Sequence, residues 1–125
     1  MENKKLIICE KKKGYEYEGP RYTHLGQNSG EEFRKDYLVP WLNQLALDTN
    51  EEFVIDFIGT KMYSPSFLEE GFGGAIRDAK NESEAKINSK TLERIKFINI
   101  EPIRESKLKD YIKNAKYNPK NNVDN

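Results

Sequence analysis

The chain has 125 residues, enough for one domain with one hydrophobic core and too few for two ordinary domains. No apolar stretch approaches the roughly 20 residues that cross a membrane, and the short apolar run near the start predicts no signal peptide. Because Cys9 is the only cysteine and His24 the only histidine, an internal disulfide and a zinc site made from the usual nitrogen and sulfur ligands are excluded. We therefore expect a cytoplasmic protein without metal or other cofactor.

The net charge of zero conceals an asymmetry along the chain. Residues 1–84 contain 11 Lys/Arg and 16 Asp/Glu, a sum of −5, whereas residues 85–125 contain 10 and 5, a sum of +5. Such a dipolar chain favours partners with complementary patches or head-to-tail contacts, and its oligomeric state stays open. Without an overall basic excess, we expect no binding to nucleic acid.

The N-terminal quarter of the chain is predicted to hold two strands and a loop. A short apolar run flanked by charge indicates a strand over residues 5–10, with Cys9 as a small core residue at its end. Alternating aromatic and acidic residues over 15–18 indicate a second, half-exposed strand. Residues 21–30 have the composition of a loop.

A first long helix is predicted to begin at Ser29. Ser29 is a suitable N-cap, and Glu32 three residues later completes the pattern of a capping box. Pro40 interrupts the helix and predicts a kink or a split into two pieces. The apolar stripe of this helix consists of Phe33, Tyr37, Trp41 and Leu45.

A central strand and a second helix follow. The nearly continuous apolar run over residues 53–58 is typical of a strand covered on both faces, and only Asp56 interrupts it. Ser64 followed by Pro65 predicts a helix start, because Ser is a favoured N-cap and Pro a favoured first helical residue. Ser66 with Glu69 offers a competing capping box.

The second helix is rich in glycine, which destabilises a helix interior by about 1 kcal/mol per residue. This cost predicts that the helix lies very close to the sheet or to the backbone of a partner. The glycines are Gly71, Gly73 and Gly74.

The C-terminal third is predicted to contain a loop or frayed helix end over residues 81–90 and a strand over 94–101 that stops at Pro102. An amphipathic helix over 103–115 follows, and residues 118–125 are expected to be disordered. Strands and helices thus alternate, which predicts an α/β fold: a small mixed sheet with helices packed on it, forming one domain over residues 1–117.

The loop before the second helix is the most suggestive site. It presents backbone N–H groups at the positive end of a helix, a place that suits a phosphate, a phosphorylated side chain or an acidic partner. Glu69 and Glu70 are interpreted as complements of the helix dipole rather than as a catalytic pair, and we expect no catalytic residue. The side chains that could assist a small ligand are those of Arg21, His24 and Arg34.

Two segments carry a family resemblance. The strand end Asp56-Phe57-Ile58-Gly59, followed by Ser64-Pro65-Ser66-Phe67-Leu68-Glu69-Glu70 and a glycine-rich helix, resembles the STAS-like domains of unknown function. These are relatives of the bacterial anti-sigma-factor antagonists. The resemblance extends upstream to Ser29-Gly30-Glu31-Glu32-Phe33-Arg34 and implies the STAS architecture.

The resemblance also implies a mode of regulation. In anti-sigma-factor antagonists, a kinase of the histidine-kinase-like ATPase class phosphorylates a serine at the start of the corresponding helix. The added charge then abolishes binding of the antagonist to that kinase. Pro65 occupies the aligned position here and cannot be phosphorylated. The switch is therefore either lost or moved to Ser64 or Ser66, both of which can also act as helix caps alone.

Three functions remain open from the sequence. The first is a non-enzymatic regulatory module that binds a partner ATPase, kinase or other signalling protein, with contacts predicted at Tyr63, Ser64, Pro65, Ser66, Glu69 and Glu70. The second is a small-ligand or nucleotide sensor that binds a phosphate at the Ser64 helix start. The third, which we favour least, is an enzyme that uses Asp56, His24 or a serine.

Overall fold

A computed structural model describes residues 4–45, 52–61 and 64–119 of the chain. Its strands are β1 (Lys5–Ile7), β2 (Phe53–Asp56) and β3 (Ile95–Ile98). Its helices are α1 (Ile8–Lys11), α2 (residues 30–45), α3 (residues 65–77), α4 (Glu82–Glu93) and α5 (Pro102–Asn114), and a 3-10 turn spans Thr23–Leu25. The predicted α/β class, with helices packed on a small sheet, is confirmed.

The sheet of the described residues is three-stranded with the order β1-β2-β3, and both pairings are parallel, whereas a mixed sheet was predicted. Leu6, Ile55 and Phe97 lie side by side in the register and are buried. Phe72 of α3 packs edge-on against Phe97, with 5.9 Å between the ring centroids, so the helices cover this face of the sheet.

The other face of the sheet is partly open, so the expectation of a central strand covered on both faces was wrong. Lys5 and Lys96 flank Val54 in the register on this face, and both lysines are exposed. The apolar run was misleading because Phe53, Ile55 and Phe57 face the core, whereas Val54 is only half-buried.

The predicted strand over residues 15–18 is not formed. These residues belong to a turn with an isolated bridge at Tyr17. Tyr15 is fully buried, and its hydroxyl donates a hydrogen bond to the Glu32 carboxylate at 2.7 Å. The alternation of aromatic and acidic residues therefore does not mark a strand here, and Tyr15 is buried as part of a turn. The strand predicted over residues 5–10 is shorter than expected, because α1 begins at Ile8 and places Cys9, half-buried, on a helical turn.

Helix α2 begins as predicted, since the Ser29 hydroxyl accepts a hydrogen bond from the Glu32 N–H at 3.0 Å. The capping box is incomplete, because the Glu32 carboxylate binds Lys12 and Tyr15 instead. Pro40 causes no split. The α-helical turn Gly30–Phe33 is followed by a π-helical segment, Arg34–Leu38, and then by α-helix Val39–Leu45, so a wider turn lies directly before the proline.

Residues 82–93 form helix α4, so the predicted loop or frayed end over 81–90 was wrong. The Asn81 side chain caps α4 by accepting from the Glu84 N–H at 2.8 Å. The buried face of α4 includes the polar residues Asn88 and Thr91, and the Asn88 amide donates to the Ala75 carbonyl at 2.8 Å. A helix that buries polar side chains lacks the apolar stripe on which sequence prediction depends.

The C-terminal strand and helix are confirmed with adjusted bounds. Strand β3 ends at Ile98, and Pro102 is the first residue of α5 rather than only a stop after the strand. The backbone N–H of Asn118 donates to the Arg77 carbonyl at 2.9 Å, so the start of the predicted disordered tail contacts the end of α3. Residues 120–125 lie outside the described residues. Within the described ranges, no helix has both the length and the apolar content that membrane crossing requires.

Candidate interaction site

The start of α3 is built as its sequence predicts. Helix α3 consists of an α-helical turn (Pro65–Leu68), a π-helical segment (Glu69–Gly73) and a second α-helical turn (Gly74–Arg77). The Ser64 hydroxyl accepts from the Phe67 N–H at 3.2 Å, and Pro65 is the exposed first helical residue. The competing cap at Ser66 was wrong, because Ser66 lies inside the helix. Tyr63, a predicted partner contact, lies outside the described residues.

The buried carboxylate of Glu18 binds the backbone at this helix start. Glu18 Oε1 accepts from the Ser64 N–H at 2.7 Å, and Glu18 Oε2 forms an ion pair with Arg104 of α5. Burial raises the pKa of Glu18 above its usual value, although the hydrogen bonds from Arg104 and Ser64 act in the opposite direction. Glu18 therefore links the first turns of α3 and α5, a role that no local pattern around it indicated.

An apolar groove opens beside this linked pair of helix starts. Its cavity volume is about 530 Å³, and its rim includes Ile103, which is 75% exposed. The groove is lined by Pro65, Leu68, Glu101, Pro102, Ile103, Arg104, Lys107 and Tyr111. We call this surface the α3–α5 groove. Ile103 lies outside the hydrophobic core, whereas Leu108 and Ile112 of α5 are buried in it.

The acidic pair after the helix start lies in an ion cluster rather than on a free surface. Glu70 is 1% exposed and accepts from Arg34 and Arg77, each at 3.0 Å. Glu69 accepts from Arg77 at 2.6 Å and also pairs with Arg21. Their interpretation as dipole complements was wrong, because both lie in the π-helical segment and neutralise arginines.

Burial dominates at Glu70 and raises the pKa of its carboxyl, opposed by Arg34 and Arg77. Burial also acts on Glu69, but there Arg77 and Arg21 outweigh it and hold the pKa of the carboxyl below its usual value. Glu70 has almost no surface to offer a partner, whereas Glu69 is half-buried, and both carboxylates pair with arginines inside the molecule.

The three side chains suggested for a small ligand are not gathered into one site. Arg34 is buried in the ion cluster and Arg21 lies at its edge. His24 is exposed and stacks on Tyr22, with 5.7 Å between ring centroids and an angle of 10° between the planes. Among the contacts of the described residues, none joins His24 to either arginine.

The glycines of α3 are explained by packing inside the molecule. A Cβ at Gly71 would lie 3.2 Å from the Phe33 ring, and a Cβ at Gly74 would lie 2.9 Å from Arg34 Nε. Both neighbours belong to α2. On the α2 side, a Cβ at Gly30 would come within 2.5 Å of the Phe67 carbonyl oxygen. The predicted close approach exists at Gly71 and Gly74, and helix α2 provides it there rather than the sheet.

Asp56 lies at the carboxyl end of β2, where parallel sheets often place functional groups. Its carboxylate accepts from the Ile58 N–H at 2.9 Å and from the Asn99 amide at 2.8 Å, and it lies 3.4 Å from Lys5 Nζ. Desolvation raises the pKa of Asp56, but these donors outweigh it and hold the pKa below its usual value. The Asp56 carboxylate therefore links β2 to Lys5 of β1 and to Asn99 after β3. In the part of the chain that the structure describes, no group of three His, Cys, Asp or Glu side chains is placed to hold a metal ion.

Comparison with curated proteins and with solved structures gives no match. A family model described as a STAS-like domain of unknown function (DUF4325) matches residues 29–105, which is more than half of the chain. The matched segment begins at the Ser29 cap of α2 and ends in the first turn of α5, so it includes the Ser64–Pro65 helix start. The chain belongs to the family of STAS-like domains of unknown function.

Proposed function

We propose that this protein is a non-enzymatic regulatory module that binds a partner protein at the start of α3 and in the α3–α5 groove. The observation that carries the proposal is the apolar groove next to the exposed Pro65, with Ile103 on its rim. An exposed apolar surface rimmed by polar residues is typical of protein interaction sites. The contact surface consists of Ser64, Pro65, Ser66, Pro102, Ile103 and Lys107.

The family resemblance favours an ATPase or kinase of the histidine-kinase-like class as the partner. Phosphorylation would add about −2 charge at the contact surface and oppose docking. Of the two serines, Ser66 is better suited to such a switch. A phosphate on Ser64 would lie close to the buried Glu18 carboxylate and replace the hydroxyl that caps α3.

The alternative, a sensor that binds phosphate at the Ser64 helix start, receives less support. A phosphate bound at this helix start would need the Ser64 N–H as a donor. That N–H already donates to the Glu18 carboxylate. The arginines expected to assist are paired with Glu69 and Glu70. We therefore expect inorganic phosphate at millimolar concentration to leave the melting temperature unchanged relative to chloride at equal ionic strength. A rise in melting temperature that Ser64→Ala abolishes would favour the sensor.

Affinity capture from the protein's own host cells tests the proposed function. We expect tagged wild-type protein to retain a partner that Pro65→Glu, Ser66→Glu and Ile103→Glu each lose. Lys96→Glu is the matched control, because it places a new carboxylate on the open face of the sheet. Circular dichroism verifies that all variants fold. A partner retained by the groove variants and lost by Lys96→Glu would place the contact on the open sheet face and overturn the proposal.

A further inference from the structure

The α3–α5 groove lies between two helices that run in the same direction. Pro65, the first residue of α3, lines the groove together with Pro102, the first residue of α5. Further along, Gly73 of α3 packs against α5, since a Cβ at Gly73 would lie 3.5 Å from the Tyr111 carbonyl oxygen. The groove therefore follows the two helices from their first residues towards Tyr111.

Helix α5 presents two adjacent stripes, and only one of them belongs to the core. Arg104, Leu108 and Ile112 are buried, whereas Ile103, Lys107 and Tyr111 line the groove. Residues four apart lie on the same face of a helix. Because the second stripe is apolar at both ends, it has the form of a surface on which another helix packs.

The lining of the groove includes the acidic side chain of Glu101 and the basic side chain of Lys107. Glu101 precedes the first turn of α5, and Lys107 lies six residues further along, a separation of about 9 Å along the helix axis. Neither side chain forms an ion pair with any other residue between 4 and 119 that the structure describes. The third charged lining residue, Arg104, is already compensated by Glu18.

We propose that the groove binds an amphipathic helix of the partner protein, antiparallel to α3 and α5, an inference that rests on the proposed function. The two N-termini of α3 and α5 lie at one end of the groove, so their positive dipole ends favour the C-terminus of a third helix there. A basic side chain near that C-terminus meets Glu101, and an acidic side chain near the N-terminus meets Lys107. Both placements also complement the dipole of the bound helix. Apolar residues at positions i, i+3, i+4 and i+7 of the bound helix fill the α3–α5 groove.

Two synthetic helical peptides of about four turns test the orientation. Both carry the same leucine stripe; one has Glu about six residues before Lys, which matches the separation of about 9 Å between Lys107 and Glu101 along α5, and the other has the two charges exchanged. We expect the wild-type protein to bind the first peptide about three- to tenfold more tightly in fluorescence anisotropy, as two exposed ion pairs allow. The double variant Glu101→Lys/Lys107→Glu should reverse this preference, and Glu101→Gln/Lys107→Gln should abolish it.

Several outcomes overturn the inference. If neither peptide binds, the groove does not bind a helix whose orientation these charges set. If the wild-type and charge-exchanged proteins prefer the same peptide, these charges do not orient a helix. If sedimentation shows a wild-type dimer that Ile103→Glu dissociates, the groove is occupied by a second copy of the chain. If the cellular partner is lost with Pro65→Glu but retained by the charge-exchanged variant, the proposed function stands and the helix orientation fails. If no partner is captured at all, both fail.

Discussion

At the scale of single residues, the molecule depends on buried carboxylates whose partners are distant in sequence. Glu18 binds Ser64 and Arg104, which are 46 and 86 residues away. Glu70 binds Arg34 at a separation of 36 residues. A buried charge is tolerated only when such partners compensate its loss of hydration. These pairs therefore fix the position of the start of α3 in the molecule.

Removing Glu18 should be one of the most damaging single changes. Its side chain is 1% exposed, and Glu18→Ala removes a buried carboxylate that accepts from the Ser64 N–H and pairs with Arg104. We expect the free energy of unfolding to fall by about 3–5 kcal/mol, the usual cost of breaking a buried ion pair on one side. Urea unfolding measures this loss. Glu10→Ala, at an exposed position, is the control and should change stability by less than about 0.5 kcal/mol. A loss below about 1 kcal/mol for Glu18→Ala would contradict this role.

Asp56 should make stability depend on pH in the acidic range. The pKa of Asp56 is lower in the folded chain than in the unfolded chain, where it is near 3.8. The contribution of Asp56 to stability is therefore complete above the pKa of the unfolded chain and is lost as the pH falls through the pKa of the folded chain. Asp56→Asn should therefore lower the free energy of unfolding by about 1–2 kcal/mol at pH 7. The difference from wild type should shrink below about pH 4.

Urea unfolding at several pH values from neutral to acidic measures this convergence. Asp110→Asn, at an exposed position on α5, serves as the control and should differ little from wild type at any pH. A difference between wild type and Asp56→Asn that stays constant across the acidic range would contradict the assignment.

At the scale of elements, sequence prediction succeeded where capping chemistry is local. The cap at Ser29 and the Ser64–Pro65 start were predictable because cap and helix lie within four residues. Helix α4 was missed because its buried face contains the polar residues Asn88 and Thr91, and the partner of the Asn88 amide is the Ala75 carbonyl of α3. The π-helical segments of α2 and α3 were not predictable either, since they arise where the two helices pack closely.

The close crossing of α2 and α3 should be intolerant of any added side chain. Alanine at position 30 is favoured by about 1 kcal/mol in helix propensity, but its Cβ would lie 2.5 Å from the backbone oxygen of Phe67. We expect Gly30→Ala to lower the free energy of unfolding by about 1–3 kcal/mol, as overpacking does. Thermal unfolding measures the change. Ser83→Ala, on the exposed face of α4, is the control. Equal or greater stability for Gly30→Ala would show that the helices can separate without cost.

At the scale of the whole molecule, the structure offers two different surfaces. One is the open face of the sheet, with Lys5 and Lys96; the other is the start of α3 with the α3–α5 groove. The sequence predicted the part of the site at Ser64–Pro65, because that part is local. It did not predict Ile103 and Lys107, because only folding brings α5 beside the start of α3.

We propose that one partner contacts the start of α3 and the α3–α5 groove together. Site-specific photocrosslinking in the host cells tests it most directly, with a photoreactive phenylalanine analogue placed in turn at positions 65, 103 and 96. We predict one and the same crosslinked partner from positions 65 and 103, and none from position 96 on the open sheet face. A crosslink from position 96 alone, or different partners from positions 65 and 103, would contradict the account.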